Sequence, residues 1–210
     1  MRRTANCPSC GAPVQFAWSS AVQTACPYCH SILVRHDVDL EKVGIVADLP
    51  PDASPIQLLT EGIFDNRRFT VIGRIRYEWE QGGWNEWHIL FNDQSTGWLS
   101  DAQAEYAVSF LVAPPAPLPG ADQIRPGNML RISGAPFYVT HLTPVRYIGF
   151  EGELPFTTTD RSEFLTADLR TSDARFATID FSEAPPLLFA GRFVGFDELR
   201  LSNLREFEGW

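Results

Sequence analysis

The chain is poor in the residues from which catalytic machinery is usually built. Of its 210 residues only four are cysteine and four histidine, and no cysteine follows Cys29. There is no Gly-x-Ser-x-Gly elbow, no glycine-rich phosphate loop and no dinucleotide fingerprint. His88 and His141, the two histidines away from the N-terminus, fall on predicted strands, and His88 beside Trp87 reads as structural. No apolar run reaches the ~18–20 residues that span a bilayer; the longest candidate, residues 107–113, stops at Pro114-Pro115. Met1-Arg2-Arg3-Thr4 leads straight into the first cysteine motif without an apolar signal core. The expectation is a cytoplasmic protein that is not an enzyme. Acid is absent from one region: residues 1–36 carry Arg2, Arg3 and Arg35 and no Asp or Glu, so the remainder, at −12, is more acidic than the −9 of the whole chain. An acidic body repels phosphate backbones, and three arginines fall short of the clusters that nucleic-acid modules carry. Nucleic acid is therefore not an expected partner, and only the N-terminal segment could touch it.

What is present begins with the cysteines. Cys7-Pro8-Ser9-Cys10 and Cys26-Pro27-Tyr28-Cys29 form two Cys-x-x-Cys hooks with fifteen residues between them, the spacing of a four-thiolate zinc site. Each hook lets two sulfurs reach one ion from a tight turn, and Gly11 supplies a residue free to take positive φ. Val14, Phe16 and Trp18 alternate as in a strand, residues 23–25 can return antiparallel, and residues 32–34 can add a third short strand. A unit this small cannot bury enough apolar surface to fold alone, and bound Zn2+ would supply the difference. Four thiolates close the coordination sphere, so the metal is expected to be structural. His30 and His36 lie close by and read as solvent-facing, since the cysteines already complete the set.

Beyond the hooks the predicted class is all-β: a zinc ribbon over residues 1–36, a linker over 37–57 rich in acid and proline, a first β-unit over 58–112, a proline-rich connector over 113–124 and a second β-unit over 125–210. Phe69, Val71, Gly73, Ile75, Tyr77 and Trp79 fall on one side with Thr70, Arg74, Arg76, Glu78 and Glu80 on the other, Gly82-Gly83 can turn a hairpin, and Trp87, Ile89 and Phe91 resume the alternation. Residues 101–110 fit a short helix or a further strand. Strands about every ten residues with turn residues between them indicate an antiparallel barrel or sandwich. Phe69-x-Val71 matches Phe137-x-Val139, and Arg76-Tyr77 matches Arg146-Tyr147 at a similar distance downstream. The two units are either a duplication or two similarly built strand sets.

Two further groups are candidates for binding. Four of the six tryptophans lie between residues 79 and 98, where aromatic faces could line a groove. Trp87 is in phase with apolar neighbours, as a core residue would be, whereas Trp84 sits beside the turn and is the tryptophan expected to face a ligand. Glu151 and Glu153 flank Gly152; alternation puts both carboxylates on one side, where they could hold a cation or face water together.

The ribbon resembles those at the N-termini of many bacterial cytoplasmic proteins. Arg76-Tyr77-Glu78-Trp79, Trp84-Asn85-Glu86-Trp87, Gly97-Trp98-Leu99, the run Gly149-Phe150-Glu151-Gly152-Glu153-Leu154-Pro155 and Ala177-Thr178-Ile179-Asp180-Phe181 resemble a bacterial family of unknown function, domain of unknown function 4178, over about residues 56–205. That resemblance implies membership without a mechanism, and a link to a stress or envelope system. The functional expectation is a non-catalytic adaptor that binds protein partners through ribbon and body, with membrane association only through a partner. The alternative is a ligand-binding β-module that uses the tryptophan-rich hairpin for a small or cationic metabolite.

Overall fold

A computed structural model describes residues 3–36, 39–46, 49, 53–158 and 162–207. The described residues form strands and one 3-10 turn, with no α-helix among them. The N-terminal part contributes β1 (Arg3–Asn6), β2 (Pro13–Phe16), β3 (Gln23–Ala25), β4 (Ser31–His36) and β5 (Asp39–Ile45). Val14 and Phe16 alternate into a small core with Cys7, Ala21, Cys26 and Leu33. Strand β5 occupies much of the stretch read from sequence as a linker and pairs with β4. Of the remaining linker residues, Asp37, Asp48 and Pro50 to Asp52 lie outside the described residues.

The first β-unit comprises β6 (Glu61–Phe64), β7 (Arg67–Trp79), β8 (Gly82–Phe91), β9 (Thr96–Ala102) and β10 (Glu105–Leu111). The second comprises β11 (Met129–Ile132), β12 (Ala135–Leu154), β13 (Glu163–Arg170), β14 (Arg175–Asp180) and β15 (Leu187–Val194). Residues 101–110, open between helix and strand in the sequence, are the end of β9 and most of β10. They turn at Gln103 and Ala104, whose φ values of 51° and 65° suit the tight hairpin between twisted strands.

Both units are antiparallel meanders with the same strand order, and they close on each other. Strand β7 pairs with β12 and β10 pairs with β15, so eight strands form a ring: β7, β8, β9, β10, β15, β14, β13, β12 and back to β7. Tyr77 stands directly opposite Tyr147 across the first seam. Arg76 and Arg146 are not opposite each other: Arg146 faces Glu78, and a register shift after Tyr147 sets Arg76 against Gly149.

Glycine makes the seams possible. A Cβ on Gly73 would lie 2.1 Å from the Glu153 carbonyl oxygen, and one on Gly152, whose φ is +66°, would lie 2.2 Å from that of Ile72. At the other seam a Cβ on Gly191 would sit 1.9 Å from the Val108 carbonyl oxygen.

Alternation gives the ring two faces. Outward, Phe69, Val71, Trp87, Ile89, Leu99 and Val108 form a core roofed by Ile56, Phe64 and Leu199. The second unit repeats this with Ala167, Leu169, Ala177, Ile179 and Leu188 under Ile124, Ile132 and Phe137. The other face points into the ring. Phe189 of β15 packs on the cluster that contains Ile75, although β15 and β7 lie four strands apart either way round the ring; only the interior connects them.

The ribbon closes one end. Strand β3 pairs with the end of β12, Thr24 opposite Glu153. The Glu153 carboxylate accepts hydrogen bonds from the backbone N–H groups of Ala17 at 2.6 Å and Trp18 at 2.9 Å. Gln23 exchanges two hydrogen bonds with Thr158. Trp18 meets the edge of His88 with ring centroids 5.3 Å apart, and His88 stacks on Trp98 at 4.9 Å. The ribbon is thereby fastened to the body by a shared sheet and a buried carboxylate, beyond its covalent connection.

Gly191→Ala tests the closure of the ring. Overpacking against a backbone oxygen should cost about 1–3 kcal/mol, read as a lower urea midpoint with an unchanged m-value. An unaltered midpoint would show that β10 and β15 do not approach this closely.

Candidate functional site

The four cysteine sulfurs converge. All lie within 4.8 Å of one another, with Cys7 to Cys29 at 3.7 Å and Cys10 to Cys26 at 3.8 Å. A tetrahedron with metal–sulfur bonds of ~2.3 Å has edges of ~3.8 Å, so this donor set could hold a metal ion. Disulfides would need the sulfurs at ~2.0 Å, and all four thiols are free. Two matching turns present them: Gly11 N–H donates to the Cys7 carbonyl and His30 N–H to that of Cys26. Gly11 and His30 hold corresponding positions with φ of 76° and 54°. His30 is therefore a turn residue, and exposed; His36, also exposed, pairs with Glu41 at 3.0 Å.

The thiols are electrostatically unequal. Hydrogen bonds from the Ser31 hydroxyl and backbone bring Cys29 down to about 6. Cys10, despite a hydrogen bond from the Ala12 backbone that lowers it, is pushed up to about 12 by desolvation and the other three thiols. A bound cation would reverse this mutual opposition and favour four thiolates.

The sequence-predicted binding residues are dispersed. Trp87 is fully buried in the outward core, its ring 4.9 Å beneath the Arg74 guanidinium, so it offers no face to a ligand. Glu151 and Glu153 do not share a side, because the positive φ of Gly152 turns the strand between them. Glu151 remains half-buried and pairs with Arg74 at 3.3 Å, while Glu153 is committed to the ribbon and its carboxyl is raised by burial against the pull of the Ala17 and Trp18 N–H groups.

Trp84 alone of these four stands on the inward face of the ring. It stacks on Tyr77 with centroids 5.3 Å apart and planes at 27°, and its Nε1–H donates to Glu86 Oε1 at 2.9 Å. Ser100 Oγ lies 2.9 and 2.8 Å from the two Glu86 oxygens. Burial pushes Glu86 up to about 7, opposed by Ser100 and Trp84 and reinforced by Asp168 and Asp101. Asp168 belongs to β13, three strands from β8 around the wall, so its charge acts on Glu86 from across the ring. Tyr77 likewise meets Phe164 of β13 with centroids 6.1 Å apart.

Inward side chains differ in burial along the ring. Near the ribbon, Ile75, His88, Trp98 and Tyr147 are buried. Away from it, Trp84, Glu86, Phe164, Asp168, Asp180 and Phe189 each keep partial exposure. An eight-stranded ring can either fill its interior with side chains or leave room for one small ligand. Sequence reading missed Glu86, Asp168 and Asp180 as a group. Asp168 and Asp180 each stand between two apolar neighbours and Glu86 precedes Trp87, but nothing in sequence showed that three strands shared one face.

A domain-family profile described as Domain of unknown function (DUF4178) matches residues 60–195. Neither the curated proteins nor the solved structures contain a match to the chain.

The raised Glu86 carboxyl makes a pH prediction. Its folded-state value exceeds the ordinary 4.5, so the folded chain binds the extra proton and loses stability as pH rises from about 4.5 to about 7. Glu86→Gln should flatten the fall in Tm across that window relative to the parent. Parallel curves for the two proteins would contradict the buried placement of this carboxylate.

Proposed function

Because the chain belongs to the DUF4178 family, whose description assigns no activity, we propose its function from the geometry of ring and ribbon. It is a non-catalytic binding protein in which the ribbon, built around a structural zinc ion, stoppers one end of a β-ring, and the open end around Trp84 receives a small molecule. The observation that carries this reading is the partial exposure of inward residues in a ring otherwise closed by backbone hydrogen bonds. Four thiolates at tetrahedral spacing favour zinc and leave no coordination position for a substrate. Its binding would supply ~10–16 kcal/mol to a segment too small to fold alone.

A protein partner remains the second reading, favoured by a separate observation. Tyr28 in the second hook and Ile45 on edge strand β5 are 65% and 64% exposed. An edge strand with unpaired backbone groups and apolar side chains is a ready surface for another chain.

Two measurements test the proposal. Metal analysis of the purified chain should give one zinc per chain, lost in a Cys7→Ser, Cys26→Ser double variant along with protease resistance of residues 1–36; a metal-free wild-type chain with an intact ribbon would refute the structural zinc. A metabolite screen read by tryptophan fluorescence should find ligands whose affinity falls roughly tenfold in Trp84→Ala, the loss expected when one stacking face is removed. Ligands indifferent to Trp84→Ala would move the binding surface away from the ring.

A further inference from the structure

We propose that the outer edge of β11 docks an extended, acidic peptide segment of a partner protein, which pairs antiparallel with Met129 and sets carboxylates against Arg125 and Arg131. This goes beyond the small-molecule reading of the ring and does not depend on it.

The first unit shows what such an edge accepts. The turns that lead into β6 and β11 are built alike, position for position. Gln57 N–H donates to Thr60 Oγ1 and Thr60 N–H to the Gln57 carbonyl; Arg125 N–H donates to Asn128 Oδ1 and Asn128 N–H to the Arg125 carbonyl. Leu59 and Gly127 take positive φ, 69° and 89°, and donate to the carbonyls of Val71 and Val139. Glu61 then faces Thr70 as Met129 faces Tyr138. In the first unit the outward N–H and C=O of Glu61 exchange hydrogen bonds of 3.1 and 2.9 Å with Ser202. Thr60 Oγ1 and Gln57 Nε2 donate to the Asn203 carbonyl, and Asn203 Nδ2 donates to that of Leu59. The segment after β15 thus clamps β6 as a short added strand.

The shared register turns the N–H and C=O of Met129 outward as well. Among the described residues no segment pairs with them. The corresponding segment after β10 does cross onto the second unit, where Val112 and Leu118 pack. Its Pro114, Pro115, Pro117 and Pro119 have no N–H to donate. The side chains differ in step. Glu61, Arg68 and Thr70 line the clamped edge, whereas Met129, Pro136 and Tyr138 line the same face of β11 and β12. Met129 is 48% and Tyr138 52% exposed. An edge strand with unpaired backbone groups beside apolar side chains is the arrangement that takes up another strand.

Charge selects the occupant. Arg125 stands where Gln57 reaches the clamp, and Arg131 stands where Ile63 does. Their guanidinium groups bond to backbone carbonyls, and among the described residues neither pairs with a carboxylate. Asn128, in the place of Thr60, commits its Oδ1 to Arg125 N–H and has Nδ2–H donors left over. A site of donors in a chain of net charge −9 suits a partner that brings acceptors, and carboxylates answer guanidinium groups most strongly.

The test uses the full zinc-loaded chain. The probe is the dye-labelled peptide Leu-Glu-Leu-Ser-Asn-Leu-Glu, which is the clamp sequence of residues 199–205 with both arginines replaced by glutamate. By fluorescence polarisation it should bind saturably with a Kd below ~1 mM. The arginine-bearing parent peptide should bind about tenfold more weakly, as should the acidic peptide N-methylated at its serine. Arg131→Glu should weaken the acidic peptide about tenfold, and so should Met129→Pro, which removes an outward N–H and no ladder bond. By hydrogen exchange the Glu61 amide should be protected in the free chain and the Met129 amide protected only with peptide. If Met129→Pro fails to fold, the methylated peptide and hydrogen exchange still decide. No binding of the acidic peptide at 1 mM overturns the proposal. Equal affinity for the two charge forms overturns the acidic class, and binding indifferent to Met129→Pro overturns the site. A Met129 amide already protected in a chain that sediments as a dimer shows that a second copy covers the edge, and overturns the partner.

Discussion

The pairing of β7 with β12 is the constraint on which the rest of the molecule depends. Without it each unit would be an open meander with a long unpaired edge, a liability for a chain with so many apolar strand residues. With it, and with its counterpart between β10 and β15, the backbone donors and acceptors of eight strands are satisfied in a circuit. Closure then converts the two-residue alternation of each strand into an inside and an outside. The seams demand glycine because the two backbones approach too closely for any side chain, and Gly73, Gly152 and Gly191 stand where that approach is tightest.

The unusual consequence is where the apolar cores lie. Each unit buries one set of large hydrophobic residues on the outer face, beneath segments that precede or follow its strands, while the ring interior mixes an apolar cluster around Ile75, Trp98 and Phe150 with polar residues. Glu86, Ser100, Thr166, Asp168, Thr178 and Asp180 would be a poor filling for a sealed interior, since burying a carboxylate without full compensation is costly. Partial hydration relieves that cost, and the rise of Glu86 to about 7 records what remains of it. The ribbon covers the opposite end through sheet pairing, the Glu153 carboxylate and the Trp18 ring.

Much of this was legible in the chain itself. The hook spacing announced convergent thiols, and alternation in residues 69–79 and 87–91 announced strands. What alternation could not reveal was its own interruption. The register shift between Val71 and Gly73 reverses which residues of β7 face outward, so that Phe69 and Val71 share a face with Arg74 and not with Ile75 or Tyr77. A turn at Gly152 separates Glu151 from Glu153 in the same way. Bulges of this kind follow from how two strands must bend past each other, and a strand read alone carries no trace of its partner.

Sequence by itself therefore determined the convergence of the four cysteines and the all-β class, because each rests on short-range spacing that any fold must honour. The tertiary structure alone decided that the units close into one ring, that the ribbon is bound to the end of it through Glu153 and Trp18, and that carboxylates from β8, β13 and β14 share its inward face. Those outcomes depend on contacts between residues far apart in the chain, whose energies arise only when distant strands have found their register.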